Sequence, residues 1–316
     1  MTFASADPTS AGGEAAGIAA FRKRHDLPGL VDVHTHFMPD RVQQKVWEYF
    51  DAAGPLVGQA WPAAYRFDQT TRLRLLRDFG VRVFTALAYP HRPGMAAWLS
   101  DWTLGFAVAT PGCVPSATFF AEPGAGDHVA AAVRRGAQVF KCHVQVGGFD
   151  PTDDTLDDAW GVLAEAGAPV VIHCGSGPAP GRHTGLAPIR AVLRRHPQLR
   201  LIVAHMGMPD YEAFLDLAEE FPGVCLDTAV VFTDFVERMA PFPRTALTRL
   251  AGQADRILLG TDYPSTPGDY LHQLEVLERL DLGTDWVQQV CWHNGLRVLG
   301  IDEVPLVPTV SGDLAT

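Results

Sequence analysis

From residue 30 onward the chain alternates two kinds of hydrophobic pattern. Short runs rich in apolar and β-branched residues recur as LVDVHT (30–35), VRVFTALAY (81–89), CVPSATFF (113–120), AQVFKCHV (137–144), PVVIHCG (169–175), LRLIVAHMG (199–207), GVCLDTAV (223–230) and RILLGTDYP (256–264). Their length and near-continuous apolar character are those of buried parallel strands. Between most of them lie stretches of helical period, such as DHVAAAVRRG, TLDDAWGVLAEAG, LAPIRAVLRRHP and DYEAFLDLAEEFP. Strands alternating with helices imply parallel βαβ units. Eight such units within residues 30–302 predict a single-domain α/β protein, a closed (β/α)8 (TIM) barrel. A doubly wound open sheet is the alternative, but no GxGxxG follows the first strand.

The alternation is interrupted after the first strand. Residues 37–80 carry WEYFDAAGPLVGQAWPAAYRFDQTTRLRLLRDFG before the second strand begins. An insertion of that size at a barrel mouth predicts a lid or pocket wall. Residues 1–29, rich in Ala, Gly and Ser, predict a flexible lead-in, loose or partly helical. DWVQQVCWHNGLRVLG reads as a closing helix against the barrel, and residues 303–316 as an extended tail.

Composition narrows the class. With 316 residues and 47% hydrophobic content, the chain can bury one sizeable core. A net charge of −11, from 36 acids against 25 bases, leaves no basic footprint for nucleic acid. No apolar run is long enough to span a membrane. The first residues lack a charged segment followed by an apolar core, so no secretory signal is expected. Cys113, Cys142, Cys174, Cys225 and Cys291 are dispersed without a CxxC, which points to reduced thiols and a cytoplasmic location.

The polar residues then change the picture. His34 and His36 end the first strand, His173 the fifth, His205 the sixth and Asp262 the eighth. Taken singly, each histidine reads as a hydrogen-bonded structural residue and the aspartate as a helix cap. Together they sit at C-terminal strand ends, the mouth where barrel active sites lie. Three imidazoles and a carboxylate suit one divalent ion, zinc first, with manganese, iron or cobalt as alternatives.

The set HTH on strand one, IHCG on strand five, AHMG on strand six and GTDYP on strand eight resembles the amidohydrolase superfamily. It is most similar to the amidohydrolase-related branch that includes aminocarboxymuconate-semialdehyde decarboxylase. The resemblance spans roughly residues 30–300 and implies that His34, His36, His173 and Asp262 bind the metal, with His205 a catalytic histidine outside that set. Many urease-like relatives add a β-sandwich, for which this chain has no room. Lys141 and His143 share a face of strand four. In binuclear relatives a carboxylated strand-four lysine bridges two metals; the single-metal alternative is preferred here, with His143 and Lys141 assigned to substrate contact. His91, beside Arg92 after strand two, and Arg66 in the insertion are further substrate-binding candidates, as ligands for a carboxylate. Cys142 and Cys174 face away from the predicted ligands and read as packing thiols.

The expected activity is metal-dependent hydrolysis of a small C–N, C–O or lactone substrate. Asp262 would take a proton from the activated water and pass it to the leaving group, while His205 orients the water or polarises the carbonyl. The alternative is non-oxidative decarboxylation of a small aromatic or unsaturated carboxylic acid on the same residues. A non-catalytic metal-binding barrel is a third reading, disfavoured because both Asp262 and His205 are present. A small molecule is the expected partner, and the oligomeric state is left open, a homodimer among the alternatives.

Overall fold

The computed structural model describes residues 11–302 and 304. Nine short strands form: β1 (Leu30–Asp32), β2 (Val81–Thr85), β3 (Cys113–Val114), β4 (Ser116–Thr118), β5 (Val139–His143), β6 (Val170–His173), β7 (Leu201–Val203), β8 (Val224–Asp227) and β9 (Ile257–Leu258). Every neighbouring pair is parallel, in the orders β1-β2-β3 and β4 through β9. The third predicted strand is split because Pro115 has no N–H to donate to the ladder. Its carbonyl still accepts from the Gln138 amide at 2.8 Å, so β3 and β4 together make one stave. The circle closes where the Val33 amide donates to the Leu259 carbonyl and the Asp262 amide to the His34 carbonyl, each at 2.9 Å, beside a parallel Thr35–Tyr263 bridge. The result is the expected eight-stave parallel barrel.

Side-chain alternation divides the core into two layers. Val31, Val83, Val114, Val139, Val171, Ile202, Cys225 and Leu258, one from each stave, pack together inside the barrel. Val298 and Leu299 of the closing helical segment join this inner cluster. The intervening residues, among them Phe140, Cys142, Val170, Ile172 and Val203, face the surrounding helices. Residues two further along from the inner apolar layer are polar: Lys141 and His143 above Val139, His173 above Val171, Asp227 above Cys225. An apolar plug thus underlies a polar upper layer at the C-terminal strand ends.

Part of the expected lead-in is ordered. Helix α1 (Ala11–Arg24) buries Ile18 and Phe21 completely. Its Arg24 guanidinium donates in a fork to Glu278 at 2.9 and 2.8 Å. The Glu14 carboxylate accepts from the Tyr65 hydroxyl and from the Leu271 amide at 3.2 Å. Residues 1–10 and nearly all of the expected tail lie outside the described residues. The insertion folds as α2 (Asp40–Ala52), α3 (Gly54–Val57) and, after a loop, α4 (Gln69–Asp78), whose first turn is capped by Asp68 accepting from the Thr71 amide at 2.9 Å.

Candidate metal centre

The two strand-one histidines reach the centre by a route that strand period does not describe. Val31 and Val33 both belong to the inner cluster, so a regular strand would turn His34 and His36 outward. Instead the regular strand β1 ends at Asp32, and the residues beyond it keep separate backbone bonds to both neighbours without regular strand geometry, such as the His36 amide donating to the Tyr263 carbonyl at 2.6 Å. Asp32 itself faces outward and is held by the Thr261 hydroxyl at 2.6 Å and the Tyr270 hydroxyl at 2.9 Å. His205 follows a similar logic. Alternation from Ile202 would send it outward, but left-handed backbone at His205 (φ 54°) and Met206 (φ 51°) turns it in. Asp262 also adopts a left-handed conformation (φ 61°). Such backbone in non-glycine residues is held only where the surroundings over-determine it, and it clusters at functional sites.

Three of the inward imidazoles are oriented through Nδ1. That of His34 donates to Asp227 Oδ2 at 2.9 Å, that of His36 to the Leu87 carbonyl at 2.7 Å, and that of His205 to the Ala229 carbonyl at 3.0 Å. Their Nε2 atoms therefore carry the free lone pairs. His36 Nε2 lies 2.8 Å from Asp262 Oδ1, and His34 Nε2 lies 3.6 Å from the same oxygen. Lone pairs and a carboxylate facing one another at this range call for a cation between them, which is the donor set a divalent ion needs. The ligand atoms of His34, His36 and Asp262 all lie within 4.8 Å of one another, and so do those of His34, His205 and Asp227. His173 stands beside these groups: its ring stacks on His143 with centroids 4.1 Å apart and meets the His205 ring edge-on at 4.9 Å.

Burial sets the charge states. Desolvation, with the Lys141 charge next, holds His34 well below the usual imidazole range, and desolvation with the His205 and Lys141 charges does the same to His173. Both stay neutral, as ligands must. Burial alone would raise Asp262, but the close contact with His36 and the neighbouring imidazoles outweigh it and hold that carboxyl below its usual range, ionised. Lys141, almost fully buried, donates from Nζ to His34 Nε2 at 2.9 Å. Burial brings its pKa down to about 8 against the pull of Asp262 and Asp227.

Sequence reasoning missed Asp227. It accepts from His34 Nδ1, and its other oxygen accepts from the amides of His205 and Ala229, each at 3.0 Å. The signal was available: an acid ending the run GVCLD, at the same level as the other polar strand ends. Gly260 explains why GTD begins with glycine. A Cβ there would lie 2.9 Å from the His34 Cβ and 3.0 Å from the Asp227 Cγ, so no larger residue fits beside this pair.

The centre forms the floor of a cavity of about 750 Å³. His34, Lys141, His143, His173, His205 and Asp262 line it at depth, and His91 lines it as an exposed residue. Part of the wall comes from the insertion, through α2, α3 and Trp61. The structure does not bring Arg66 there: its guanidinium forks onto the exposed Asp51 at the protein surface, with one arm at 2.9 Å. Cys142 and Cys174 are buried on the helix-facing side, and burial pushes Cys142 up to about 12, as packing thiols require.

No curated protein matches this chain. Among solved structures it is similar to 5-carboxyvanillate decarboxylase from Sphingomonas paucimobilis (15% identity, TM-score 0.60, covering 87% of this chain and 99% of that one). It is also similar to 5-carboxyvanillate decarboxylase from Novosphingobium aromaticivorans complexed with manganese (12% identity, TM-score 0.57, covering 86% and 97%). A third similar structure is a probable 2-pyrone-4,6-dicarboxylic acid hydrolase from Acinetobacter baumannii (10% identity, TM-score 0.57, covering 86% and 99%). Likeness at these identities establishes the barrel fold. The amidohydrolase family model matches residues 31–301, which takes in every polar strand end described above, and the chain belongs to the amidohydrolase family.

Proposed function

We propose that this amidohydrolase-family enzyme is a metal-dependent hydrolase acting on a C–N, C–O or lactone bond of a small molecule. The observation that carries the reading is the ionised Asp262 carboxylate, 2.8 Å from His36 and 3.6 Å from His34 at the floor of the cavity. In this reading His34, His36 and Asp262 hold one divalent ion, with His173 alongside and zinc the first choice. A bound ion supplies Lewis acidity and acidifies water. Asp262 accepts a proton as the water oxygen attacks the carbonyl carbon, then returns it to the nitrogen or oxygen that leaves. His205, with Nδ1 committed to Ala229, offers Nε2 to the attacking water or the carbonyl oxygen. His143, stacked on His173, and Lys141, beside His34, contact the substrate from next to the ion. Five buried free thiols, and the lack among the described residues of any helix fit to cross a membrane, accord with a cytoplasmic enzyme.

A second reading, non-oxidative decarboxylation, is favoured by the two similar decarboxylase structures, one of them with manganese. The deciding experiment assays metal-reconstituted protein against lactones, amides and hydroxybenzoates, following both ring opening or amine release and CO2. Hydrolysis is expected, and Asp262→Asn should lower kcat by ~10²–10⁴. His205→Asn should lower kcat while metal content stays near that of the parent protein. Stoichiometric CO2 release without hydrolysis would replace the first reading with the second.

A further inference from the structure

The cavity is far larger than the chemistry at its floor requires. We infer that the substrate carries a bulky apolar body, larger than a single ring, which lies along the insertion helices while its reacting end meets the polar floor. This rests on the site proposed above. The apolar residues of the insertion that face the cavity are Val42, Val46, Phe50, Ala53 and Val57, spaced by four, four, three and four positions. Val42, Val46 and Phe50 make one stripe of α2, and Ala53 and Val57 carry it across the break into α3. Val42, Val46, Phe50 and Val57 are only half-buried, so the stripe is incompletely covered by protein. Trp61, Tyr89 and Met95 extend this apolar lining. Trp61 is fixed by its indole N–H donating to the Ser265 carbonyl at 2.7 Å, and its ring stacks on Phe50 at 5.7 Å. Polar groups crowd the metal end, and Arg41, Lys45 and Tyr49 of α2 flank the stripe.

A space of about 750 Å³ holds roughly 25 water volumes at about 30 Å³ each. A single-ring acid would leave most of it empty. A largely apolar wall above a polar floor fits an amphiphilic ligand whose body displaces that water.

The test is calorimetric binding of benzoate, 2-naphthoate and biphenyl-4-carboxylate to the holoprotein. Affinity should rise through the series, roughly 30-fold from first to last. Val46→Asp, which places a charge on the stripe, should reduce the ratio below threefold. Val46→Trp, which fills the space without a charge, should do the same and covers the case that the first variant fails to fold. Equal affinity for benzoate and biphenyl-4-carboxylate, or an unchanged ratio in the folded variants, overturns the inference. Repeating the series after chelation separates the two claims. A protein that binds no metal and turns nothing over but keeps the ratio sinks the proposed function and leaves this inference standing. A working metalloenzyme with a flat series sinks this inference alone.

Discussion

At the scale of single residues, the site is built by the groups behind the ligands. His34 can point Nε2 at the centre only because Asp227 holds its Nδ1, and Asp227 is itself held by two backbone amides from the strand-six and strand-seven exits. One buried carboxylate therefore sets the tautomer of a proposed ligand and the backbone position of His205. In Asp227→Asn, the amide oxygen can still accept from the two N–H groups, but its NH2 then faces His34 Nδ1 and disfavours the needed tautomer. Metal affinity should fall ~10–100-fold, measured by competition with a chelating dye, while the far-ultraviolet circular dichroism stays that of the parent. Affinity within threefold of the parent would show that Asp227 does not orient the ligand. Asp227 belongs to none of the four motifs that suggested the centre, because it acts through a hydrogen bond to His34 rather than through its own spacing in the chain.

At the scale of elements, the insertion is tied to the barrel by a buried arginine. Arg72 on α4 donates to Gln43 of α2 at 2.8 Å, and its guanidinium lies over Phe37 at 5.2 Å and over Trp47 at 5.6 Å. Its carbonyl accepts from the Tyr263 hydroxyl at 3.0 Å, one residue beyond Asp262. This one residue links the cavity wall and the helix behind it through its side chain, and the strand-eight exit through its backbone carbonyl. Arg72→Met keeps the bulk but removes both cation–π contacts and leaves the Gln43 amide unpaired. A loss of about 2 kcal/mol is expected, seen as a Tm lowered by a few degrees. Amide exchange should quicken in residues 40–57 well before the inner strands respond. Uniform acceleration through the barrel would mean that Arg72 supports the whole fold rather than the wall. The presence of an insertion was readable from the length of chain between the first two strands. Its mode of attachment was not, because a buried arginine among polar neighbours looks in sequence like any solvated one. Arg66, six residues earlier, gave the opposite error: expected in the pocket, it pairs with Asp51 at the surface.

At the scale of the molecule, the apolar plug and the polar upper layer make different contributions to stability. The plug closes the bottom of the barrel, whereas the mouth crowds neutral imidazoles, a carboxylate and a lysine into a desolvated space. A bound ion stabilises only the folded state, by RT ln(1 + [L]/Kd), about 2.7 kcal/mol at a hundredfold excess over Kd. Dialysis against a chelator should therefore lower Tm by several degrees, and adding back zinc or manganese should restore it; a Tm indifferent to both would argue against an ion in the folded protein. The sequence by itself determined the barrel, its eight staves, the apolar inner layer and the presence of a polar cluster at one end. These follow from local periodicity, since alternation within each strand needs no knowledge of the others. Tertiary structure alone decided which way His34, His36 and His205 turn. Each sits where the regular strand has ended, and its direction comes from acceptors supplied by other staves: Asp227, the Leu87 carbonyl and the Ala229 carbonyl. Periodicity would have sent all three outward, because the rule of alternation holds only along regular extended backbone.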